Sequence, residues 1–174
     1  MKSDRKQEAF NAFKNASEMD FEPKIQEDAY YNYAKISYEI GNPYKSVPEV
    51  LNNFIAKYPN NPNNPEIENL LISSYVTAKN YKDALILLEK NKTNANKETY
   101  QKVLFYRALE LYTDSFYSEA LSLLKKSIAE NKNAIILARA TFWQAETEYV
   151  LEQFEQAATN FNQFFNLIES KNTL

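Results

Sequence analysis

Four tyrosines recur along the sequence at a constant spacing of 37 residues, at positions Tyr38, Tyr75, Tyr112 and Tyr149. Three of them follow an alanine by four residues and an aromatic residue by seven, and the second copy has Leu71 in the alanine position. A fixed period of about 20 to 50 residues is typical of stacked-repeat proteins, in which one repeat cannot bury its apolar face alone. The sequence therefore predicts an array of repeated units.

The composition favours helices as the repeated elements. Of the 174 residues only one is glycine and six are proline, while 44% are hydrophobic. Sandwiches and barrels of short strands need many tight turns, which glycine and proline usually supply. The hydrophobic fraction is large enough for an extended core. We therefore predict an all-α fold, an α-solenoid of about nine antiparallel helices.

The charged and reactive residues argue against several classes of function. A formal net charge of -3 disfavours nucleic-acid binding, because phosphate recognition needs a concentrated Lys and Arg surface. The chain has no cysteine and no histidine, which removes the common nucleophile, general base and zinc ligands. A group of carboxylates, Glu146, Glu148, Glu152 and Glu155, scatters around one helix end and predicts no metal or acid-base site. We expect no metal, no cofactor and no enzymatic activity.

The two ends of the sequence carry further expectations. The N-terminal stretch MKSDRKQEAF lacks the apolar core of a signal peptide, and no stretch reaches the length of a transmembrane helix. We therefore expect a soluble chain with no direct membrane insertion. The C-terminal stretch FNQFFNLI is unusually apolar for a terminal repeat, whose outer face is normally polar. Some of its large side chains are expected to point inward and others outward.

The helical pattern divides the chain into one unpaired helix and four two-helix repeats. The predicted limits are 1–22 for the unpaired second helix of a preceding repeat, then 23–60, 61–93, 94–132 and 133–170 for the repeats. A chain that begins with an unpaired second helix and ends on an apolar one is expected to be a segment of a longer array.

Local signals predict several helix ends. Pro23 marks the start of a long helix to about Ile40, and Gly41 ends it. The next helix has two possible starts, at Asn42 with Pro43 or at Ser46 with Glu49. Two further caps are predicted from residue type and position. They are Asn64 before Pro65, and either Asp114 or Ser115 in the third repeat.

These patterns resemble the tetratricopeptide repeat, whose first helix carries a small residue and an aromatic, and whose second carries an aromatic, a small residue and a large apolar one. The first unit reads YYNYAKISYEIGNPYKSVPEVLNNFIAKYP, the third FYRALELYTDSFYSEALSLL and the fourth FWQAETEYVLEQFEQAATNF. Matching positions in the third unit are Ala108, Tyr112, Tyr117, Ala120 and Leu124. The period exceeds the usual length of about 34 residues, and the glycine between paired helices occurs only at Gly41.

The resemblance implies a right-handed superhelix whose first helices line a concave groove that binds peptides or protein segments. The YP-type ending and the Asn-, Lys- and Tyr-rich composition are similar to repeat modules in envelope-associated proteins of Bacteroidetes-like bacteria. This similarity in composition implies the bacterial periplasm or outer membrane as the expected compartment, with the cytoplasm as the alternative.

The groove candidates are aromatic and basic residues on the first helices. They are Tyr31, Lys35, Tyr38, Lys102, Phe105, Tyr112, Arg139, Phe142 and Tyr149. The aromatic members either anchor a partner or pack against the second helices. The last long helix favours packing, because Phe142 and Tyr149 lie on an apolar stripe and Thr141 and Glu148 on a polar one. The basic members either select acidic partner segments or are simply solvated. Trp143 lies off the apolar stripe and faces either a neighbouring repeat or a partner.

Two functional hypotheses follow. The first is a non-catalytic scaffold that binds a protein or peptide segment in its groove, because solenoids act through extended concave surfaces. The second is a structural module that self-associates end to end through its terminal repeats. An enzyme is disfavoured, since no nucleophile, base and orienting group recur together.

Overall fold

The structure, a computed structural model, describes residues 2–20, 22–90 and 96–172. These residues form nine α-helices and a closing 3-10 helix, with no strand among them. The helices are α1 Lys2–Glu18, α2 Pro23–Ile40, α3 Val47–Lys57, α4 Asn64–Thr77, α5 Tyr81–Lys90, α6 Lys97–Thr113, α7 Tyr117–Glu130, α8 Ala134–Val150 and α9 Phe154–Asn166, and the 3-10 helix is Ile168–Asn172. The all-α prediction is confirmed.

The chain divides into two compact units. Unit 1 is Met1–Asn80 and contains α1 to α4, and unit 2 is Tyr81–Leu174 and contains α5 to α9. The division falls between α4 and α5, inside the predicted repeat 61–93. The predicted boundary between residues 93 and 94 lies outside the described residues. The repeat limits therefore stay a prediction.

In unit 1, α1 packs on α2, and α3 packs against both α2 and α4. The central side chain is Phe54 of α3, which is fully buried. Its ring centroid lies 5.8 Å from that of Tyr30, 6.0 Å from Tyr31 and 5.4 Å from Tyr58. Burial of one such ring contributes about 1.5–3 kcal/mol, and tilted or edge-on aromatic pairs add to this. Phe54 thus fixes α3 against α2.

In unit 2, each helix from α6 to α9 packs against the next one along the chain, and α6 also contacts α8. A core cluster joins α6, α7 and α8, and its buried members are Phe105, Ala108, Leu124, Ile136 and Ala140. Side chains from two helices of one hairpin therefore become buried only when the first helix of the next hairpin covers them. This is the packing logic of a repeat protein.

Side chains cap two helix starts, and the cap at Ser46 follows the prediction. Ser46 precedes α3, and its hydroxyl accepts a hydrogen bond from the backbone N–H of Glu49 at 3.3 Å, so the later of the two proposed starts is confirmed. The Asn133 side chain caps α8 by accepting a bond from the N–H of Ile136 at 3.0 Å. Both caps satisfy backbone donors that a helix cannot satisfy internally.

Two predicted caps are wrong. Asn64 is the first residue of α4, and its side-chain nitrogen donates instead to the backbone carbonyls of Tyr58 and Pro59, at 2.9 and 3.0 Å. Asp114 closes α6, and Ser115 sits in the turn, while the residue preceding α7 is Phe116, which makes no side-chain cap bond. Asn, Asp and Ser favour loops as well as helix starts, so residue type alone does not separate these roles.

The turns within three repeats use a left-handed residue that is not glycine. Lys79, Ser115 and Glu152 have φ values of 57°, 65° and 59°. In each turn the next residue donates a backbone bond back into the preceding helix, with N···O distances of 2.8 Å in all three cases. A left-handed conformation costs a residue with a side chain about 1–2 kcal/mol. Gly41 differs from them, because its φ of 82° and ψ of 171° are a combination that essentially only glycine adopts.

Candidate binding surfaces

Three of the predicted groove residues lie on one face of α2. Tyr31, Lys35 and Tyr38 are spaced as successive turns of a helix, so their side chains form a stripe. The stripe contacts α4 through Glu66: the Lys35 Nζ atom lies 2.7 Å from one carboxylate oxygen, and the Tyr31 hydroxyl donates to the other at 2.5 Å. Lys35 also donates to the Tyr31 hydroxyl at 3.1 Å. The structure therefore joins two of the candidates in one polar cluster.

The cluster shifts the ionisation of its charged members. Hydrogen bonds to Glu66 and then to Tyr31 raise the pKa of Lys35, and hydrogen bonds from Lys35 and Tyr31 lower the pKa of Glu66. Both side chains are more than one-third exposed to solvent, which screens the pair to a value of at most about 1 kcal/mol. Lys35 is consequently available to an acidic partner only in competition with Glu66.

Removing the cation should move the pKa of Glu66. In the Lys35→Met variant we expect the Glu66 pKa to rise toward its ordinary value, because the largest interaction favouring the carboxylate is lost. The depressed pKa means that the pair stabilises the fold above the ordinary Glu pKa and loses this effect as the pH falls through the lowered value. Carboxyl carbon NMR titration of both proteins measures the shift. An unchanged Glu66 pKa would contradict the ion pair.

A cleft opens beside Tyr38, at the end of the same stripe. Its volume is ≈ 530 Å³. Its lining comes from α2, the start of α3 and the end of α4, and consists of Tyr38, Glu39, Val47, Pro48, Ser74, Thr77 and Ala78. Tyr38 remains 36% exposed. The cleft thus combines an aromatic ring, apolar walls and hydroxyl groups.

In unit 2 the candidates divide between core and surface. Phe105 is fully buried, which supports the core alternative for this residue, and the Arg139 guanidinium lies over its ring at 5.1 Å from the centroid. Phe142 is half-buried and packs on Phe161 and Phe164 of α9, with centroid distances of 5.9 and 5.3 Å. Lys102 is exposed on α6.

The two last periodic tyrosines have different environments. Tyr112 is half-buried between Tyr117 and Trp143, at centroid distances of 5.2 and 5.1 Å, and burial together with Glu146 and Tyr117 raises its pKa. Trp143 therefore faces the neighbouring repeat. Tyr149 contacts Phe154 of α9 at a centroid distance of 5.5 Å but remains 59% exposed, so it combines the two alternatives, packing against a second helix and exposure to solvent.

The polar stripe predicted for α8 is buried inside unit 2 along part of its length. Thr141 and Glu148 are almost completely buried, because α8 has α7 on one side and α9 on the other. The Glu148 carboxylate accepts hydrogen bonds from the side-chain amides of Gln144 and Asn160 at 2.8 and 2.6 Å, and Lys125 lies 3.9 Å away. These amide donors compensate for the lost hydration of the carboxylate.

Sequence reasoning missed a set of polar residues that hold loops. Gln101 of α6 is fully buried; its amide oxygen accepts the backbone N–H bonds of Lys132 and Asn133 at 2.9 and 2.7 Å, and its nitrogen donates to the Asn133 carbonyl at 3.3 Å. In unit 1, Glu27 of α2 likewise accepts from the Asn61 side chain at 2.6 Å. Glu27, Asn64 and Gln101 are spaced by the same 37 residues as the tyrosines. This 37-residue recurrence of polar residues is the sequence signal that could have identified them.

Comparison with known proteins gives a fold likeness. No protein-family model matches the chain, and no curated protein sequence matches it either. Among solved structures, MamA AMB-1 is similar with a TM-score of 0.57 and 21% identity, covering 97% of this chain and 85% of that one. MamA MSR-1 is similar with a TM-score of 0.53 and 21% identity, covering 98% and 91%. MamA is a helical protein of the tetratricopeptide-repeat type.

The chain has a tetratricopeptide-type repeat fold. At this level of identity the likeness concerns the fold alone. Within the described residues, no helix is both long enough and apolar enough to span a bilayer. The same residues contain no group of three or more Asp or Glu side chains placed to hold a metal ion.

Proposed function

We propose that this protein is a non-catalytic interaction scaffold that binds a protein or peptide segment. In unit 1 the binding site is the cleft beside Tyr38, and the observation that carries the proposal is a partly exposed tyrosine lining an open cleft of ≈ 530 Å³. Ligand sites in proteins usually measure about 300–1,000 Å³. The cleft is large enough for one or two side chains of a bound segment.

The lining residues indicate how a segment would bind. The Tyr38 ring, Val47 and Pro48 offer an apolar surface, and a tyrosine ring gives large contact area at low cost in conformational entropy. Ser74 and Thr77 add hydroxyl groups to the lining, and the Thr77 hydroxyl, which donates to the Ser73 carbonyl, can still accept a hydrogen bond. An apolar side chain flanked by backbone amides suits this mixture, since apolar anchors supply affinity and the polar rim supplies orientation.

The polar cluster of α2 extends the site along the stripe. Lys35 lies one helical turn before Tyr38, and its partner Glu66 is about half-exposed. A segment with a carboxylate near its apolar anchor would bind Lys35 by displacing part of the Glu66 interaction, and a segment with a cation would bind Glu66. The charges therefore orient a segment, whereas the cleft binds it.

A selection experiment tests the proposal. A phage-displayed library of random peptides is panned against the wild-type protein, and the Kd of each selected peptide is measured for wild type, Tyr38→Ala and Tyr44→Ala. Tyr44 is the matched control, because it is 65% exposed but does not line the cleft. We expect the Tyr38→Ala variant to weaken binding about tenfold and Tyr44→Ala to leave it unchanged.

Two outcomes would contradict the cleft as the binding site. One is a library without binders to the wild-type protein, and the other is a set of binders that Tyr38→Ala retains at full affinity. Circular dichroism of each variant checks that the fold is kept.

Self-association through a terminal repeat is the second candidate function. The observation that favours it is a group of large apolar side chains exposed at the end of unit 2, among them Tyr149, Phe154 and Phe165. A mass in solution that rises with protein concentration, measured by light scattering, would support it over the scaffold.

A further inference from the structure

The Tyr38 cleft lies where two helices of unit 1 end. Tyr38 and Glu39 belong to the last turn of α2, and the other wall includes Thr77, which ends α4, and Ala78, which follows it. The carboxyl end of a helix carries a partial negative charge of about half an elementary charge, because its last carbonyl groups have no partner within the helix. Two such ends therefore border one cleft of ≈ 530 Å³.

The negative end of α2 is poorly compensated. Neither α2 nor α4 has a Lys or Arg in its last turn. Ala78 donates a backbone bond to the Ser74 carbonyl at 3.0 Å and so satisfies part of the end of α4. Gly41, which follows α2, makes no such bond in the part of the chain that the structure describes. The last carbonyls of α2 thus keep their capacity to accept hydrogen bonds.

Glu39 adds a full negative charge to the cleft. Its side chain is about half-exposed, and one carboxylate oxygen lies 2.7 Å from the Nζ atom of Lys6 on α1, which is also about half-exposed. An ion pair between two exposed side chains is weak, so a competing cation can displace Lys6. Lys35, one turn before Tyr38 on α2, is engaged by Glu66. The carboxylate of Glu39 is therefore accessible to a cation from a partner.

The start of α3 does not offset this negative potential with free donors. Pro48 has no N–H, the Glu49 N–H donates to the Ser46 hydroxyl at 3.3 Å, and the Val50 N–H donates to the Ser46 carbonyl at 3.1 Å. A helix start binds an anion through backbone N–H groups that have no other acceptor, and here these three positions offer none. The cleft is thus suited to a cation rather than to an anion.

We propose that the Tyr38 cleft binds a segment that carries Lys or Arg next to its apolar anchor, and that it discriminates against acidic segments. The apolar anchor packs on Val47 and Pro48, and the cation binds Glu39 at the carboxyl end of α2 while its aliphatic stem covers part of the apolar lining. An acidic side chain at the same place would meet like charge. The inference rests on the proposed function and specifies the charge of the segment.

Three sub-libraries of displayed nonapeptides test the charge preference. Each has a central leucine that is flanked on both sides by Lys, by Gln or by Glu, with random residues elsewhere. The sub-libraries are panned separately against the wild-type protein, and fluorescence anisotropy of dye-labelled synthetic copies gives the Kd of the selected peptides. We expect the Lys-flanked peptides to bind about tenfold more tightly than the Gln-flanked ones, and the Glu-flanked peptides to bind most weakly.

Three variants locate the preference at the cleft. Glu39→Gln should weaken the Lys-flanked peptides about three- to tenfold and leave the Gln-flanked ones unchanged. Glu119→Gln removes the same charge from an exposed position of α7 and should leave every Kd unchanged. Lys6→Gln removes the competitor of the incoming cation and should strengthen the Lys-flanked peptides about two- to threefold. A variant that had merely lost structure would not bind more tightly.

The outcomes separate this inference from the proposed function. If no sub-library yields a binder to the wild type, or if Tyr38→Ala retains every binder at full affinity, the cleft is not the binding site and both proposals fail. If Gln- or Glu-flanked peptides bind as tightly as Lys-flanked ones and Tyr38→Ala weakens them all, the scaffold proposal stands and the charge preference is overturned. Equal effects of Glu39→Gln and Glu119→Gln also overturn it, because the attraction would then belong to the acidic chain as a whole.

Discussion

Replacing Phe105 by alanine should lower the free energy of unfolding by about 3–5 kcal/mol, the usual cost of truncating a buried phenylalanine. The side chain is fully buried in the cluster of unit 2, among Leu124 of α7 and Ile136 and Ala140 of α8. Truncation therefore opens a cavity where three helices meet. Urea denaturation followed by circular dichroism measures the change.

The control for this variant is Tyr149→Ala. Tyr149 also belongs to the periodic aromatic series, but it is 59% exposed, so its truncation should change the free energy of unfolding by no more than about 0.5 kcal/mol. Equal losses for the two variants would contradict the division of the series into core and surface members. The pair of measurements thus separates packing from recognition without knowledge of a partner.

The Gln101→Leu variant should lose about 2–3 kcal/mol of stability. Leucine keeps the approximate size of the side chain but cannot make the three hydrogen bonds of the Gln101 amide group to Lys132 and Asn133. Each such bond contributes about 1 kcal/mol net, and more when its partner stays away from water. The loop between α7 and α8 is the segment affected.

Two measurements make this prediction specific. Hydrogen exchange of the Lys132 and Asn133 amide protons should accelerate in Gln101→Leu, because both protons lose their acceptor. Gln156→Leu, at an exposed position of α9, is the matched control and should stay within about 0.5 kcal/mol of wild type. Unchanged exchange at Lys132 and Asn133 would show that the amide network does not fix this loop.

Local chemistry predicted much of the fold. The starts at Pro23 and Ser46 depend on residues next to them, so the sequence carries the information in a short window. The start of α7 does not follow this rule. Asp114 and Ser115 have capping side chains, but they form the end of one helix and the turn after it.

The sequence of α8 alone did not predict which of its faces are buried. A helix with one neighbour shows an apolar stripe and a polar one, but α8 lies between α7 and α9, so both stripes are buried along part of its length. Glu148 is tolerated there because Gln144 and Asn160 donate to its carboxylate. Tyr149 lies beside it in sequence and is 59% exposed, although its ring contacts Phe154 of α9.

The candidate site was predicted in part. The spacing of Tyr31, Lys35 and Tyr38 was sufficient to put them on one face, because that follows from helical geometry. Glu66, which binds both Tyr31 and Lys35, was not predicted, since it comes from a different helix and no local pattern relates α4 to α2. The Tyr38 cleft depends in the same way on the packing of α2, α3 and α4.

Trp143 is an intrinsic fluorescent probe of one contact in unit 2. It is the single tryptophan of the sequence, and it lies half-buried against Tyr112 where the two hairpins of unit 2 meet. Its emission depends on the polarity of that contact, so a change in wavelength reports the separation of α8 from α6 and α7. Unit 1 contains no tryptophan and contributes only tyrosine emission. Intrinsic fluorescence therefore follows one hairpin junction, whereas far-ultraviolet circular dichroism follows every helix of the chain.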